Sequence, residues 1–518
     1  MRLPEKKILR LAIIAVLCAS MTACIFVSQR VQVQAVDPRN DVRVTSPVKA
    51  HLKDGSTVTF ANGITISNGT VHGDGILNDL TLTQVRRMQE IPLDSVIGME
   101  SFQTRVNGGP TVALSTLATV GAIVGGAALA VAIFGSCPTV YSDDGKTEEA
   151  ELFSTSIAPL FEDRDIDRLS AQPDEDGVLR LEIRNEAMET HYINHLELLE
   201  ASHATDERVL PAISGDLLAV RNVRVPAVIK DRTGQDIQRL IGAIDSNAYS
   251  TEIRTINNAN ALEMDDWIDF DAPVDAENRS MTLVFRMRNS LLSTTLLYDV
   301  MLGPAGARAI DWLNQDLTRI STAVEIGRWY RRRAGLHISV FRDGSFQEVA
   351  RVPDSGPISW HDVAVAIPAR AGESSLRVRL SFLADHWRID YLGVAESVQR
   401  ITPRAVPISL VHGADGTEND DARVAVAAPD DRYLQTIPGQ RFYMAFNVGP
   451  APPTGSRTFL LSSQGYYTEW IRSRWIETAK AAAPFVPSDE ALLTALHKWT
   501  AKRDAFEKEF REARVPVH

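Results

Sequence analysis

The sequence contains very little cysteine and an excess of acid. Its 518 residues include 3 cysteines, too few for a disulfide-stapled scaffold or a cysteine-rich metal site. Lys and Arg total 54 against 66 Asp and Glu, which gives a formal net charge of −12. This balance argues against binding of nucleic acid, because that binding needs a basic face to neutralise phosphates. We therefore expect no nucleic-acid partner.

Signatures of catalysis are also missing. The motifs G-x-S-x-G, H-E-x-x-H and C-x-x-C do not occur. The run Gly145-Lys146-Thr147 has Val140 where a phosphate-binding loop needs glycine. These absences predict a protein that is not an enzyme and that carries no cofactor and no bound metal.

Residues 1–23 have the pattern of a secretory signal peptide. The basic stretch KKILR precedes an apolar run and then small and polar residues. The end of this leader, Met21-Thr22-Ala23-Cys24, resembles a bacterial lipobox, although Met21 stands where leucine is preferred. The resemblance implies that Cys24 becomes the lipidated first residue of the mature chain and contacts membrane lipid. An uncleaved membrane anchor and ordinary cleavage are the alternatives.

Residues 111–135 form a second apolar segment. Val112–Phe134 contains no charged residue and is long enough to cross about 30 Å of hydrocarbon as a helix. Gly121 and Gly125 have the spacing that lets two helices approach closely. The segment is therefore either a helix or hairpin inserted in a membrane, or a Gly/Ala-rich helix that is buried in protein or packed on partner copies. Cys137 follows this segment, and if Cys24 carries lipid it has no partner for an intrachain disulfide. A lone cysteine is more typical of a small buried residue than of a nucleophile.

Short alternating segments predict a mainly β fold with a few helices (α+β). After a linker over residues 24–46, residues 47–105 contain several short strands around turns such as Lys53-Asp54-Gly55 and Asn68-Gly69. This pattern favours a small β-barrel, since closure removes exposed strand edges. The barrel segments LKDGSTV and IPLDSVIGME resemble SH3-like or Sm-like barrels of bacterial envelope proteins.

The order of these segments carries a second resemblance. A leader, an LKDG barrel, a Gly/Ala-rich segment and then Cys137-Pro138-Thr139-Val140-Tyr141 before Asp144-Gly145 is similar to a family of uncharacterised bacterial envelope lipoproteins. The resemblance is clear over about residues 1–200. It implies a location in the cell envelope, on the periplasmic or cell-surface side, and it implies no chemistry.

The rest of the chain divides by pattern into five regions. We expect a β domain over 136–225 and a mixed α/β region over 226–334 that ends in a long amphipathic helix at 307–333. A β-sandwich domain is expected over 335–400, where Leu376, Val378, Leu380 and Phe382 alternate with polar residues. A β region over 401–476 and a C-terminal helix over 486–514, capped by Ser488, complete the prediction. All eight tryptophans lie from Trp267 onward, which marks a change of composition.

Three groups of residues are candidate sites. An acidic loop has oxygen ligands suited to a hard cation, although it lacks the spacing of a calcium loop: Asp415, Glu418, Asp420 and Asp421. Aromatic residues of the C-terminal half are a candidate platform for stacking sugar rings, with burial in a sandwich core as the competing interpretation: Trp360, Trp387, Tyr466, Tyr467 and Trp470. Carboxylates near Trp267 offer a pair of the kind that glycosidases use: Glu263, Asp265, Asp266, Asp269 and Asp271. A further hypothesis, a metal pair formed by His191 and His195, is disfavoured because a strand would hold these side chains about 13 Å apart.

Three functions remain open from the sequence. The first is a non-enzymatic, membrane-anchored envelope lipoprotein that acts as a scaffold or interaction module with other envelope proteins as partners. The second is a protein that binds a glycan or surface polymer through its Trp-rich β domains. The third is an unrecognised hydrolase that uses scattered carboxylates.

Overall fold

The computed structural model gives a mainly β chain with few helices, which confirms the predicted class. The structure describes residues 29–35, 42–45, 48–52, 56–60, 62–78, 85–106, 138–142, 145, 148–157, 161–187, 189–252, 264–274, 279–304, 320–430, 432–469, 488–512, 514, 515 and 517. The leader with Cys24 and the apolar segment 111–135 with Cys137 therefore lie outside the described residues.

The first eight strands form one antiparallel sheet at the N-terminal end. They are β1 (Gln29–Ala35), β2 (Val42–Val44), β3 (Val48–Leu52), β4 (Thr57–Phe60), β5 (Ile64–Ser67), β6 (Thr70–Asn78), β7 (Val85–Pro92) and β8 (Val96–Val106), with a 3-10 turn at Leu93–Ser95. The strand order is β1-β8-β3-β4-β6-β5-β2, and β7 pairs with β6. Alternate apolar residues such as Val48, Val58, Phe60 and Val71 are fully buried in the core of this unit.

This N-terminal unit begins earlier than expected. The predicted linker over 24–46 contains β1, which pairs with β8 along its whole length, and β2, which pairs with β5. The sequence of β1, QRVQVQA, alternates valine with glutamine, but its polar composition favoured a linker. Backbone pairing with β8 satisfies the peptide groups of this segment.

Twenty more described strands follow. In chain order they are β9 (Thr139–Ser142), β10 (Glu148–Glu151), β11 (Asp163–Arg168), β12 (Val178–Arg184), β13 (Glu189–His203), β14 (Glu207–Pro211), β15 (Leu217–Arg224), β16 (Ile229–Asp231), β17 (Asp265–Pro273), β18 (Ser280–Asn289), β19 (Leu336–Arg342), β20 (Ser345–Val352), β21 (His361–Pro368), β22 (Ser375–Leu383), β23 (Trp387–Ile401), β24 (Arg404–Val406), β25 (Ile408–Gly413), β26 (Leu434–Thr436), β27 (Arg441–Asn447) and β28 (Ser456–Glu469).

Strands β9–β13 and β24–β28 build a first β-sandwich. One sheet has the order β10-β9-β12-β27-β25, and the other has the order β11-β28-β13-β24 with β26 on β13. Apolar residues from both sheets share one core, in which Leu181, Leu198, Phe446 and Leu461 are fully buried.

A second β-sandwich is inserted into the first between β13 and β24. Its sheets have the orders β14-β15-β23-β18-β21 and β16-β17-β22-β19-β20. The alternation predicted around Leu380 is confirmed, because that residue faces a core that contains Phe285, Ile338 and Trp387. A small apolar cluster that includes Leu199, Val209 and Leu460 joins the two sandwiches.

The insertion corrects the domain boundaries expected from the sequence. Regions 136–225 and 401–476 fold together, since β12 pairs with β27 and β13 pairs with β28. Regions 226–334 and 335–400 also fold together, since β17 pairs with β22 and β18 pairs with β23. Alternation along one strand shows which face is buried but contains no information about the distant partner strand.

Few helices occur in the described part of the chain. They are Gln238–Ile241, Leu292–Thr294 with the π-helical continuation Thr295–Leu302, Ile320–Ala334, Asp420–Ala425 and Asp489–Glu512. The helix expected over 307–333 is described from Ile320, and residues 307–319 lie outside the described residues. The C-terminal helix buries Leu496, Trp499 and Phe506 against Leu296, and the Ala491 N–H donates to Ser488 Oγ at 3.1 Å, as the predicted cap requires.

A glycine in the first sandwich gives a direct test of this packing. Gly177 has φ +76°, and a Cβ there would lie 2.4 Å from the Gly449 carbonyl carbon, whereas Gly215 has φ +81° and open space around it. We expect Gly177→Ala to lower the free energy of unfolding by about 1–3 kcal/mol more than Gly215→Ala, because both substitutions carry the left-handed backbone cost of ~1–2 kcal/mol but only the first is overpacked. Urea unfolding of the two variants measures the difference, and equal losses would contradict the described contact.

Candidate functional site

Acidic side chains gather where the two sandwiches meet. Strands β10 and β11 of the first sandwich approach β21 and the loop 353–360 of the second. The side chains of Glu151, Asp165, Asp167 and His361 form what we call the carboxyl–histidine cluster. Their electrostatic interactions with one another make this cluster the strongest concentration of perturbed titratable groups in the described residues.

Glu151 is the deepest member of the cluster. Its side chain is buried, and Oε2 accepts a hydrogen bond from the Ile358 backbone N–H at 2.7 Å. Gly356 packs directly on this carboxyl group, and a Cβ there would lie 2.6 Å from Oε2. Burial raises the pKa of Glu151 to about 8, so this carboxyl group holds a proton at neutral pH.

Asp167 and His361 form a polar contact between the sandwiches. The His361 Nδ1–H donates to Asp167 Oδ1 at 2.7 Å, and Asp167 is buried. Burial by itself would lower the pKa of His361, but Asp167, and then Asp165 and Glu151, raise it to about 9. Burial and repulsion by Asp167 raise the pKa of the partly exposed Asp165 to about 7.

The burial of the cluster favours a structural role, in which it holds the two sandwiches together, over a catalytic one. A protonated carboxyl group beside a histidinium is a combination that acid–base catalysts use. However, Glu151 is only 1% exposed and Asp167 only 4%, so a substrate cannot reach either one in this conformation. Within the described ranges, no group of three His, Cys, Asp or Glu side chains is placed to hold a metal ion.

A serine, a histidine and an aspartate also meet beside this loop. Ser293 Oγ lies 3.5 Å from His386 Nδ1, and His386 Nε2 lies 3.2 Å from Asp354 Oδ2. Asn289 Nδ2 lies 3.0 Å from His386 Nε2, and the orientation of this amide is fixed because Asn289 Oδ1 accepts from the backbone N–H of Ser355. The Ser293 hydroxyl donates a hydrogen bond to Asp354 Oδ2 at 3.3 Å.

These hydrogen bonds differ from those of a catalytic triad. In a triad the serine donates to the histidine, and the other ring nitrogen donates to the carboxylate. Here Ser293 donates to Asp354, and Asn289 Nδ2 and Asp354 Oδ2 both lie close to the same ring nitrogen, His386 Nε2. His386 is fully buried, and we interpret the set as a structural network.

The aromatic residues predicted as a sugar platform do not form one surface. Trp387, Tyr466 and Tyr467 are buried, which corrects their proposed role in stacking. The Trp387 Nε1–H donates to the Ala334 carbonyl oxygen at 2.9 Å, and Tyr466 stacks on Tyr192 with ring centroids 4.6 Å apart. Trp470 lies outside the described residues. Of the five, only Trp360 is described as partly exposed.

The acidic loop predicted to bind a cation uses its oxygens for local structure. Asp415 Oδ1 accepts from the Thr417 backbone N–H at 2.9 Å, and Asp420 pairs with Arg423 at 2.7 Å. Asn419 caps the helix Asp420–Ala425 by accepting from the Ala422 backbone N–H at 2.9 Å. Glu418 and Asp421 are exposed and do not converge with these groups on a common centre in the described contacts.

The carboxylates around Trp267 are also separated by the fold. Asp266 points inward and accepts hydrogen bonds from Tyr249 and Thr251, whereas Asp269 lies on the outer face and pairs with Arg379 at 2.6 Å. Asp265 and Asp271 are exposed on that outer face, and Glu263 lies outside the described residues. The alternation of β17 therefore separates Asp266 from the acids of the outer face, of which Asp269 and Asp271 are each paired with an arginine.

The histidines near residue 195 are likewise apart. His191 is buried near Thr436, and His195 Nδ1 lies 3.2 Å from the Val426 carbonyl oxygen. A bulge between Ile193 and His195 changes the register at this point.

Comparisons with known proteins do not identify a relative. No protein-family model matches the chain, and no curated protein matches it. Among solved structures, a rhamnosidase from Novosphingobium sp. PP1Y is similar at 8% identity with a TM-score of 0.17, over 73% of this chain and 28% of that chain. A GH31 alpha-xylosidase from Xanthomonas citri is similar at 8% identity with a TM-score of 0.15, over 83% of this chain and 34% of that chain. The chain thus spans about a third or less of either enzyme, and these scores carry no argument about function.

The carboxyl–histidine cluster had only a weak signal in the sequence. The segment Asp163–Arg168 reads DRDIDR, and its alternation places Asp165 and Asp167 on one face of a strand. Their partner His361 is 194 residues away in the chain, and no local pattern indicates that pairing.

No helix in the described part of the chain is both long and apolar enough to cross a bilayer.

Proposed function

We propose that this chain is a membrane-anchored lipoprotein of the bacterial cell envelope that acts as a non-enzymatic scaffold or interaction module. Its leader and the lipobox-like Met21-Thr22-Ala23-Cys24 support export and lipidation at Cys24. The resemblance to envelope lipoproteins over residues 1–200 supports the same location. Membrane lipid, through Cys24, and other envelope proteins are the partners that we propose.

The burial of the polar contacts is the observation that supports a non-enzymatic function. Three buried groups with catalytic potential contact other parts of the protein: Glu151 contacts the loop 353–360, Asp167 contacts His361, and His386 contacts Asn289. Inserted sandwiches held by such contacts suit a rigid body that presents surfaces to a partner.

Lipidation can be tested with a single substitution. We expect wild-type protein in cells to incorporate labelled palmitate and to sediment with membranes, and Cys24→Ala to lose the label almost completely because no other cysteine is placed to become the first residue. Cys137→Ala is the matched control and should keep the label. Wild-type protein without label would contradict anchoring at Cys24.

The scaffold role needs a second measurement. Wild-type protein that is cross-linked in intact cells and purified from detergent-solubilised envelope should carry stoichiometric envelope proteins, and Cys24→Ala should lose them. Envelope proteins that co-purify equally with Cys24→Ala would contradict the scaffold role. Turnover of a glycoside or ester substrate that disappears in Ser293→Ala or Glu151→Gln would contradict a non-enzymatic function.

The glycan-binding alternative now depends on Trp360. This tryptophan is partly exposed and lies beside arginines, with the guanidinium carbon of Arg288 at 5.0 Å from the ring centroid and that of Arg286 at 5.9 Å. Aromatic rings beside polar groups are used to bind sugars.

A further inference from the structure

Three arginines share one buried carboxylate on the face of the second sandwich that meets β11. Asp362, at the start of β21, lies 3.2 Å from Arg286, 3.4 Å from Arg168 and 3.8 Å from Arg208. The three arginines come from three different strands, β18, β11 and β14. We call Arg168, Arg208 and Arg286 the arginine cluster.

The arginine cluster differs from the bidentate arginine–carboxylate pairs of the described residues. Arg379 binds both oxygens of Asp269 at 2.7 and 2.6 Å, and Arg342 binds both oxygens of Glu373 at 2.9 and 2.8 Å. At Asp362 the arginine–carboxylate distances are longer, and one carboxylate pairs with three arginines.

Donor groups of the cluster remain unused. A guanidinium has five N–H donors. The Nε atoms of Arg168 and Arg286 are buried without a hydrogen-bond partner, even though Asp390 Oδ2 lies 3.4 Å from Arg286 Nε. Such unsatisfied donors cost free energy, and they show that Asp362 and Asp390 do not saturate the donor groups of these guanidiniums.

A solute can reach the cluster. The side chains of Arg168, Arg208 and Arg286 are 34%, 33% and 26% exposed, whereas the Asp362 side chain is 3% exposed. The carboxylate is therefore the buried centre of the cluster, and the three arginine side chains around it are partly open to solvent.

Trp360 adds an aromatic surface to this arrangement. It precedes His361 and Asp362 in the chain, and the guanidinium carbon of Arg286 links it to the cluster. An indole ring beside guanidiniums suits a ligand that combines a sugar ring with an anionic group.

We infer that the arginine cluster and Trp360 bind an acidic saccharide, with its anionic group on Arg168, Arg208 and Arg286 and a sugar ring against Trp360. This inference depends on the glycan-binding alternative and not on lipidation. A chain with net charge −12 repels acidic polymers over most of its surface, so a local cationic site would restrict their binding to this face.

The test is a calorimetric titration of the purified full chain in detergent. Trigalacturonate is the carboxylated saccharide, maltotriose is the neutral one, and inorganic phosphate is the free anion. We expect trigalacturonate to bind at least ~10-fold more tightly than maltotriose, because a charge-assisted hydrogen bond adds affinity that a neutral sugar cannot recover.

Variants assign the binding to this site. Arg208→Gln and Arg168→Gln should each weaken trigalacturonate binding by about 10-fold or more, and Trp360→Ala should weaken trigalacturonate binding without changing phosphate binding. Arg400→Gln is the matched control, since Arg400 is exposed and pairs with one carboxylate, Asp216, at 2.9 Å. Thermal unfolding of each variant verifies that it is folded.

Several outcomes would overturn the inference. They are no binding of trigalacturonate at millimolar concentration, equal binding of trigalacturonate and maltotriose, binding of phosphate alone as an adventitious ion only, and trigalacturonate affinity that is unchanged in both arginine variants. None of these results depends on whether Cys24 is lipidated, so failure here is distinguishable from failure of the anchoring proposal.

Discussion

Replacing His361 with alanine is expected to destabilise the protein by about 3–5 kcal/mol near pH 6, because it leaves the buried carboxylate of Asp167 without its cationic partner. Asp167 Oδ1 accepts from His361 Nδ1 at 2.7 Å, and the other oxygen, Oδ2, is buried without a hydrogen-bond partner. Urea unfolding followed by tryptophan fluorescence measures the loss.

Another histidine–carboxylate pair provides the matched control. His337 Nδ1 lies 3.0 Å from Glu348 Oε2, but the two side chains are 20% and 42% exposed. Solvent screens such a pair, so His337→Ala should cost about 1 kcal/mol or less. The double variant Asp167→Asn/His361→Gln should recover much of the loss of His361→Ala, because it removes the buried charge as well. Equal losses of unfolding free energy in His361→Ala and His337→Ala would contradict a stabilising role for the buried contact between Asp167 and His361.

The second large effect is a loss of stability as the pH rises from about 6 to 9. Glu151 has a folded pKa of about 8, above the ordinary value of 4.5, so the folded chain binds its proton more tightly than the unfolded chain does. The stability linked to that proton is complete below the unfolded pKa and is lost as the pH rises through the folded pKa. His361, with a folded pKa of about 9 against 6.5, acts in the same direction.

Glu151→Gln isolates the contribution of the carboxyl group. The amide keeps an oxygen that accepts from the Ile358 N–H but has no proton to lose in this range. We expect the variant to lose about 2–3 kcal/mol less stability than wild type between pH 6 and 9, since each unit of pKa difference corresponds to ~1.4 kcal/mol. Glu418→Gln, on an exposed carboxylate, should follow the wild-type curve. Parallel curves for Glu151→Gln and wild type would contradict a proton on Glu151 in the folded state.

Features that depend on near neighbours in the chain could be predicted from the sequence. The alternation at Leu376, Val378 and Leu380 identifies a strand with one buried face, and all three residues are buried. The same holds for the stripe with Leu496 and Trp499 on the C-terminal helix, both of which lie in its core. In each case the spacing of apolar residues fixes which face is buried.

Features that depend on distant partners could not be predicted. β13 pairs with β28 across the whole inserted sandwich, and Asp167 meets His361 across 194 residues. The pattern of one strand is compatible with many partners, so neither contact has a local signature. Large aromatic residues such as Trp387 and Tyr466 suit a core and a sugar platform equally well by composition, and packing decides between them.

The mass of the mature N-terminus tests the central claim most directly. Protein purified from detergent-solubilised membranes is digested, and the N-terminal peptide is identified by mass spectrometry. The proposal predicts a peptide that begins at Cys24 and carries diacylglycerol and acyl mass. An intact chain that begins at Met1 and is recovered from the cleared soluble extract would contradict export and anchoring together.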